Sequence, residues 1–516
     1  DIVVLLQFVF ASVFVWLILR KLISNTALVV FFSVLLPLLN PQVLRFVQGG
    51  TLNLSFSCLI LAPIYFLLVG YLNAESGKKY GKSLLSIAML VFLIGYVHVY
   101  YSVIVVALLL SFAAAYAIYK YIQNQPGLKF AAGLALATIV PFLLFYCLLV
   151  FTDAESADRN KVALGYNISG WKLTPSSFFT AYHFIRNKFI VSYTQYIPYE
   201  GHIYLGSFFL YFFVVFLVLR LVNFLPVKFS KFLWYNTESV FVTLMFIASV
   251  VLLAVSVGNS TSFGNNEYEF VNYFSAFFYI SKFSSVVTHF RCLGRFAWPF
   301  FWAVNFMAIF LYATVLSRAS ISWKVVLYLL LLAPFIDAMN TYDLIRTSQH
   351  DNVFTATANT ELEKLASDVP AGKYQAILPL PYYHIGSESH DASIDPAPEH
   401  VVNTTALAYH AKLPLMSSMM SRTSVVQSKS FFSIFNDSVP DAKLLSKLDD
   451  RPILVFCDST YYADSTLFGG FEHDLPRTTF YNSRGVVSKY KMQQVAKQGS
   501  YNLYELSIGA LMDANR

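Results

Sequence analysis

Two arginines four residues apart, Arg291 and Arg295, stand just ahead of a long apolar run, within the segment Thr288–Trp302. An i, i+4 pair shares one face of a helix. A guanidinium offers a rigid fork of donors that fits phosphate or carboxylate oxygens. His289 stands beside them, and Trp298 and Trp302 follow, where aromatic side chains favour a membrane–water boundary. The chemistry offered is the holding of an anion at a membrane edge by Arg291, Arg295 and His289. A plainer role, two lipid-headgroup anchors with snorkelling stems, uses the same residues.

A second constellation is Glu200-Gly201-His202, at the mouth of another apolar run. A carboxylate and an imidazole two residues apart can act as acid and base or hold a metal. Gly201 lets backbone come close. Glu200 and His202 are therefore the candidate catalytic groups, with a solvated interfacial loop as the alternative. Asp153, Glu155 and Asp158, with Arg159 adjoining, supply oxygens of the kind that bind a divalent cation, or form a solvated helix end. A divalent cation is thus an open cofactor. Glu267 and Glu269 carry the same ambiguity.

A third group lies in the stretch from Pro379 to His390, after an apolar run that reads as a strand. Loops leaving the carboxyl ends of strands are where α/β domains bind ligands. Tyr383, His384, Ser387 and Glu388 are candidates, and Arg422 lies in a segment that can pack against them. An ordinary surface loop is the other reading. His98, between two apolar runs, is a polar residue near membrane depth or at its edge. No P-loop, GxGxxG, HExxH or GxSxG occurs in a supporting context.

The elements that must position these groups follow from composition. Of 516 residues, 57% are hydrophobic and 13% charged, about half the charge of a soluble domain. The apolar residues concentrate before about residue 340. This predicts a multi-pass α-helical membrane protein, embedded in a lipid bilayer, with a C-terminal extracytoplasmic α/β domain. About ten stretches are apolar enough to span: 2–19, 27–44, 53–72, 84–99, 102–119, 130–151, 204–222, 239–257, 296–316 and 324–341. The short loops with Arg20 and Lys21, Lys78 to Lys82, Lys120 and Lys129, Arg220 to Lys231, and Arg318 and Lys324 all fall on one side if the spans alternate. That side is the cytoplasm. The net charge of +7 then belongs to loops, with no nucleic acid implied.

The other side receives the loops 152–203 and 258–295 and everything after about 342. The expected division is a membrane domain over 1–342 and an α/β domain over 343–516. The loop 152–203 is long enough to carry structure, and a short interfacial helix is predicted near 176–190, with Arg186 and Lys188 toward headgroups. In the tail, Glu361–Ala366 reads as a helix. Tyr374–Leu380, Arg451–Cys457 and Tyr501–Leu506 read as strands, and Asp441–Leu448 as a helix, giving a small, partly parallel sheet. The chain starts at Asp1 and not at Met, which points to an upstream start. A disulfide between Cys292 and Cys457 is compatible with the topology and not required by any spacing.

Glu200-Gly-His-Ile-Tyr-Leu-Gly resembles an element of bacterial membrane proteins related to the GT-C glycosyltransferases. Arg291-Cys-Leu-Gly-Arg-Phe-Ala-Trp-Pro resembles a second, in the expected order and separation. The tail is similar too, through Val369-Pro-Ala-Gly-Lys-Tyr-Gln-Ala-Ile-Leu-Pro-Leu-Pro. The resemblance implies an integral enzyme of the bacterial cytoplasmic membrane. It would pass a sugar from a polyprenyl-phosphate carrier to a glycan, lipid or protein acceptor on the outer face. Such enzymes carry an acidic residue in the first outer loop. Here no loop between residues 20 and 100 offers an outer carboxylate, and that position would fall at or before Asp1. The alternative is a non-catalytic subunit or flippase in cell-surface glycan assembly. Few mid-span charges and no internal repeat count against a transporter.

Overall fold

The computed structural model describes residues 2–47, 52–159, 171–183, 197, 199–221, 234, 236–263, 268–273, 275–283, 288–290, 292–348, 358–395, 397–463 and 473–512. Two compact units emerge. One combines residues 1–152 with 167–349; the other combines 153–166 with 350–516. The segment 153–166, expected within a membrane-domain loop, thus groups with the tail.

The first unit is helical. Its helices are α1 (Ile2–Leu22), α2 (Thr26–Leu39), α3 (Cys58–Glu75), α4 (Gly81–Val97), α5 (Val99–Ile122), α6 (Leu128–Thr152), α7 (Ser207–Leu221), α8 (Thr237–Ser256), α9 (Ala276–Phe283), α10 (Trp298–Arg318), α11 (Ile321–Leu330) and α12 (Leu332–Ser348). Each of the ten apolar stretches is helical, the last as the pair α11 and α12. Among the described residues, seven segments are long and apolar enough to cross a membrane, where ten were expected. The difference lies in α2, α4 and α7, which are apolar but shorter. Two of these stops have local causes. Asn40 leaves α2 in an extended conformation before Pro41, and His98 does the same after α4. Since α4 and α5 also pack on each other, the single residue His98 is a hairpin corner.

Outward faces of these helices are apolar, with Leu85, Met89 and Leu93 exposed along α4 and Leu136, Leu143 and Leu144 along α6. Such surfaces suit lipid. The inner faces form one continuous core running from α1 to α10. Much of it is aromatic, with Tyr71, Tyr101, Phe112, Phe241, Phe301 and Trp302 fully buried. A two-stranded hairpin, β1 (Ser260–Phe263) and β2 (Tyr268–Val271), follows α8. Of the predicted interfacial helix, the described part is a 3₁₀ turn, Pro175–Phe178; residues 184–190, with Arg186 and Lys188, lie outside the described residues.

The second unit has a four-stranded sheet in the order β3-β6-β8-β7, built from β3 (Ile377–Leu380), β6 (Ile453–Asp458), β7 (Gln493–Gln498) and β8 (Tyr501–Leu506). Strands β3 and β6 are parallel, with Ile377 opposite Leu454. The others are antiparallel. Strand β6 is buried along its whole length, as its unbroken apolar run requires. A small parallel pair, β4 (His384–Ser387) and β5 (Ser418–Thr423), stands beside this sheet in sequence but pairs separately. Helices α13 (Ala358–Ser367), α14 (Pro398–Ala411), α15 (Val425–Asn436) and α16 (Asp474–Ser483) complete the unit. The helix expected at 441–448 is a single turn, Ala442–Leu445, capped by Asp441.

Candidate functional site: a buried arginine–glutamate–arginine cluster

Three short 3₁₀ turns of the membrane unit bring charged residues together. The first, Pro41–Phe46, carries Arg45. Asn40 starts it by accepting the Gln42 backbone N–H at 3.0 Å, and Pro41 sits in its first position, where a missing N–H is harmless. Gln42 anchors the turn by donating to the Leu54 carbonyl at 3.0 Å. The second, Tyr199–Gly201, carries Glu200. The third, Leu293–Ala297, carries Arg295 and runs straight into α10.

Glycine makes this convergence possible. A Cβ on Gly294 would collide with the backbone of Glu200 and Gly201, and one on Gly201 would collide with the Lys172 carbonyl. The backbones therefore touch where side chains would hold them apart. The far side of the loop is fixed by Asp337 on α12. Its Oδ2 accepts the Ser207 N–H at 2.7 Å, the Ser207 hydroxyl at 2.7 Å and the Tyr204 hydroxyl at 3.1 Å, so it caps the start of α7.

Both guanidinia meet the Glu200 carboxylate. Arg295 binds it through two nitrogens, with Nε at 2.9 Å from Oε2 and Nη2 on Oε1; Arg45 bonds Oε2 through Nη2. The three side chains are only 2–8% exposed. Each cation also faces a ring: Arg295 lies 4.2 Å from the centre of Tyr100, and Arg45 lies 4.9 Å from that of Tyr199. Burial pushes the Glu200 carboxyl up, and Arg295 and Arg45 more than reverse this, holding it at about 2. Glu200 is thus ionised at neutral pH and is a poor proton acceptor. Within this cluster two guanidinia share one carboxylate.

The remaining predicted residues are distributed as follows. His202 is buried with its Nε2 2.6 Å from the Thr180 carbonyl. Burial pushes its pKa down to about 4, and the carbonyl partly opposes this. It is neutral at pH 7, with Nε2–H donating and Nδ1 bare. His289 sits half-buried in a turn before Arg295, and its neighbour Phe290 packs on Tyr100 with ring centres 5.1 Å apart. Arg291 lies outside the described residues. His98 caps α5 and reaches the electrostatic field of Arg295 and Arg45.

The tail candidates belong to that unit's interior. Tyr383 is buried against His400, with ring centres 5.6 Å apart. His384 is buried between the hydroxyls of Thr423 at 3.1 Å and Ser428 at 3.0 Å. Glu388 is buried and paired with Arg159 at 3.2 Å. Arg422 is on β5. Tyr383, His384 and Glu388 are thus buried, where an open ligand-binding loop was expected. The acidic residues Asp153, Glu155 and Asp158 meet Arg159, Lys443 and Lys447, so their oxygens face ammonium and guanidinium groups. Among the described residues no three His, Cys, Asp or Glu side chains converge as a metal site would require.

Sequence reasoning missed Arg45 and Asp337. A signal for Arg45 exists: it is a lone arginine at the end of an apolar stretch, on the side expected from the loop charges to be poor in cations.

The chain belongs to the family described as "Domain of unknown function (DUF6311)", whose model matches residues 2–339. That span includes all three 3₁₀ turns. No curated protein matches the chain. Among solved structures, that of ArnT from Cupriavidus metallidurans in the apo state is similar over 98% of this chain and 83% of that one, at 11% identity and a TM-score of 0.44.

Proposed function

We propose that this protein is a membrane glycosyltransferase of the GT-C kind, which moves a sugar from a polyprenyl-phosphate donor to an acceptor on the outer face of the bacterial cytoplasmic membrane. The observation that carries the reading is the buried Arg45–Glu200–Arg295 cluster beside a lipid-facing helical bundle. A polyprenyl-phosphoryl sugar is a phosphodiester with one negative charge, a group that guanidinia bind through their forked N–H donors. When the bond from the sugar to the phosphate oxygen breaks, that oxygen gains charge. Fixed guanidinia at this place stabilise the leaving group without reorganising. The apolar faces of the bundle suit the prenyl chain. Basic loops on one side of the spans support an outer placement for the turn carrying Glu200 and for the α/β unit, which is suited to receive the acceptor.

Glu200 in this reading holds the two arginines in position, and the general-base role first assigned to it is dropped. Its engagement on both oxygens also favours a second reading, a non-catalytic lipid-phosphate-binding subunit or flippase of the same assembly. One experiment tests the cluster under either reading. Cells making wild-type protein or Arg295→Ala at equal membrane levels are compared for surface glycan and for the pool of polyprenyl-phosphoryl sugar. Transfer predicts loss of a glycosylated product and accumulation of the donor in the variant. An unchanged product and donor pool in the variant removes the proposed role of the cluster.

A further inference from the structure

The tail unit carries an open hollow of about 420 Å³, within the size range of small-molecule sites. It lies where α15 and α16 end. Asn436 is the last residue of α15, and Asp437 follows it. Tyr481 and Asn482 stand in the last turn of α16, and Gly485 and Lys489 come just after. All six residues line the hollow.

Charge narrows what this hollow can take. The Lys489 ammonium donates to the carbonyls of Asp437 at 2.7 Å, Ile434 at 3.1 Å and Phe435 at 3.4 Å. Its three N–H donors are thus occupied at the end of α15, where they offset the negative pole of the helix. An anion would find these donors engaged and would meet the exposed Asp437 carboxylate. A cation would meet the ammonium. A neutral ligand suits this balance.

Hydrogen bonding narrows it further. Asn482 Nδ2 donates to Asn436 Oδ1 at 3.1 Å, Asn436 Nδ2 to Thr479 Oγ1 at 2.8 Å, and the Thr479 hydroxyl to the Leu475 carbonyl at 2.8 Å. This chain runs one way and fixes the orientation of both amides. It leaves Oδ1 and the second N–H of Asn482 on an exposed residue. An amide donor and acceptor side by side, in one hollow with a carboxylate, match hydroxyl groups, each of which both donates and accepts. Tyr481, 48% exposed, adds an apolar ring with a polar tip.

We infer that this hollow binds one neutral pyranose unit, with its hydroxyls on Asn482 and Asp437 and a C–H face of the sugar ring against Tyr481. The inference rests on the tail alone and stands apart from the phosphate reading of the arginine cluster.

The full chain in lauryl dimethylamine oxide, a detergent without sugar, is offered the methyl glycosides of glucose, galactose and N-acetylglucosamine at millimolar concentration. Methyl glucuronide is the anionic counterpart. Binding is read by saturation transfer from protein to ligand protons. Gly485→Met is the informative variant. Gly485 has an ordinary backbone, with φ at −96°, and a Cβ there would meet the Asn482 carbonyl at 3.7 Å and nothing nearer, so a side chain can fill the hollow without disturbing the fold. We expect transfer to at least one neutral glycoside, strongest at the C–H protons of one ring face, and weaker transfer to the glucuronide. Gly485→Met and Tyr481→Ala should each reduce the transfer about fivefold at an unchanged unfolding temperature. No transfer to any of the three neutral glycosides would overturn the inference. Undiminished transfer in Gly485→Met would place the sugar elsewhere and also overturn it. A preference for the glucuronide would contradict the charge argument and overturn the assignment of a neutral ligand.

Discussion

The membrane unit and the tail each bury a carboxylate, with opposite partners. In the membrane unit one carboxylate, Glu200, faces two guanidinia, and all three side chains are nearly inaccessible. In the tail one guanidinium, Arg159, faces two carboxylates, Glu388 and Asp153, and is itself about a quarter exposed. The tail also buries the neutral His384, between Thr423 and Ser428, and His400, on the Pro381 carbonyl at 2.8 Å, and a further carboxyl, Asp458, which accepts from Asn403 at 3.2 Å. Burying charge is expensive and is tolerated where pairing is complete or where function requires it. The tail follows the first pattern. The membrane unit sets two buried guanidinia against one carboxylate, the reverse ratio.

The first way to break this comparison is to delete each central group. Glu200→Ala leaves two buried guanidinia facing each other, and should cost about 3–5 kcal/mol, the usual penalty for an uncompensated buried charge. Thermal unfolding in detergent should show a large drop or no folded protein. A shift within the range of ordinary surface mutations would mean that the cluster is solvated.

Acidification tests the neutral histidines against the ionised carboxylate. His98, His202, His384 and His400 are all pushed down to about 4, in each case mainly by burial. The unfolded chain, with histidines near 6.5, binds protons first as pH falls. Each histidine therefore contributes stability that is complete above about 6.5 and is lost as pH falls toward 4, up to about 3 kcal/mol apiece. Glu200, at about 2, stays ionised throughout this window. Unfolding temperatures measured from pH 7 to pH 4 should fall in both units. Stability that is flat over this range would contradict the buried, neutral assignment.

Arg159→Ala leaves the Glu388 carboxylate buried without this partner. Because Arg159 is partly solvated, the expected loss is smaller, about 1–3 kcal/mol. Equal losses from Glu200→Ala and Arg159→Ala would erase the contrast between the units. The smallest effect is expected from Ser428→Ala, which removes one neutral hydrogen bond to His384, about 1 kcal/mol by denaturant unfolding.

Much of the fold is legible in the sequence because bilayer and sheet physics write strong, continuous signals. Apolar stretches such as 102–119 and 130–151 become α5 and α6, and the runs ending at Leu380 and Cys457 become the paired strands β3 and β6. Strand β7, Gln-Gln-Val-Ala-Lys-Gln, carries no such signal because it is an exposed edge. At the site, Glu200 and Arg295 stand out by residue type, but their partnership does not. It depends on glycine-mediated contact between turns 95 residues apart in sequence, which no local pattern encodes. Arg45 escaped notice because a solitary arginine at a span end looks like a headgroup anchor. Tyr383, His384 and Glu388 stand out by types that suit a ligand loop, and only packing sets Thr423, Ser428, His400 and Arg159 against them.

The lipid-phosphate reading of the cluster is tested by lipid retention. Purified full-length protein is offered decaprenyl methyl phosphate, decaprenol or phosphatidylglycerol at equal mole fraction in micelles, and bound lipid is counted by native mass spectrometry for wild type and Arg45→Gln. The account predicts retention of decaprenyl methyl phosphate above both other lipids, and loss of that preference in Arg45→Gln. Equal retention of decaprenol and its phosphodiester by the wild-type chain would contradict it.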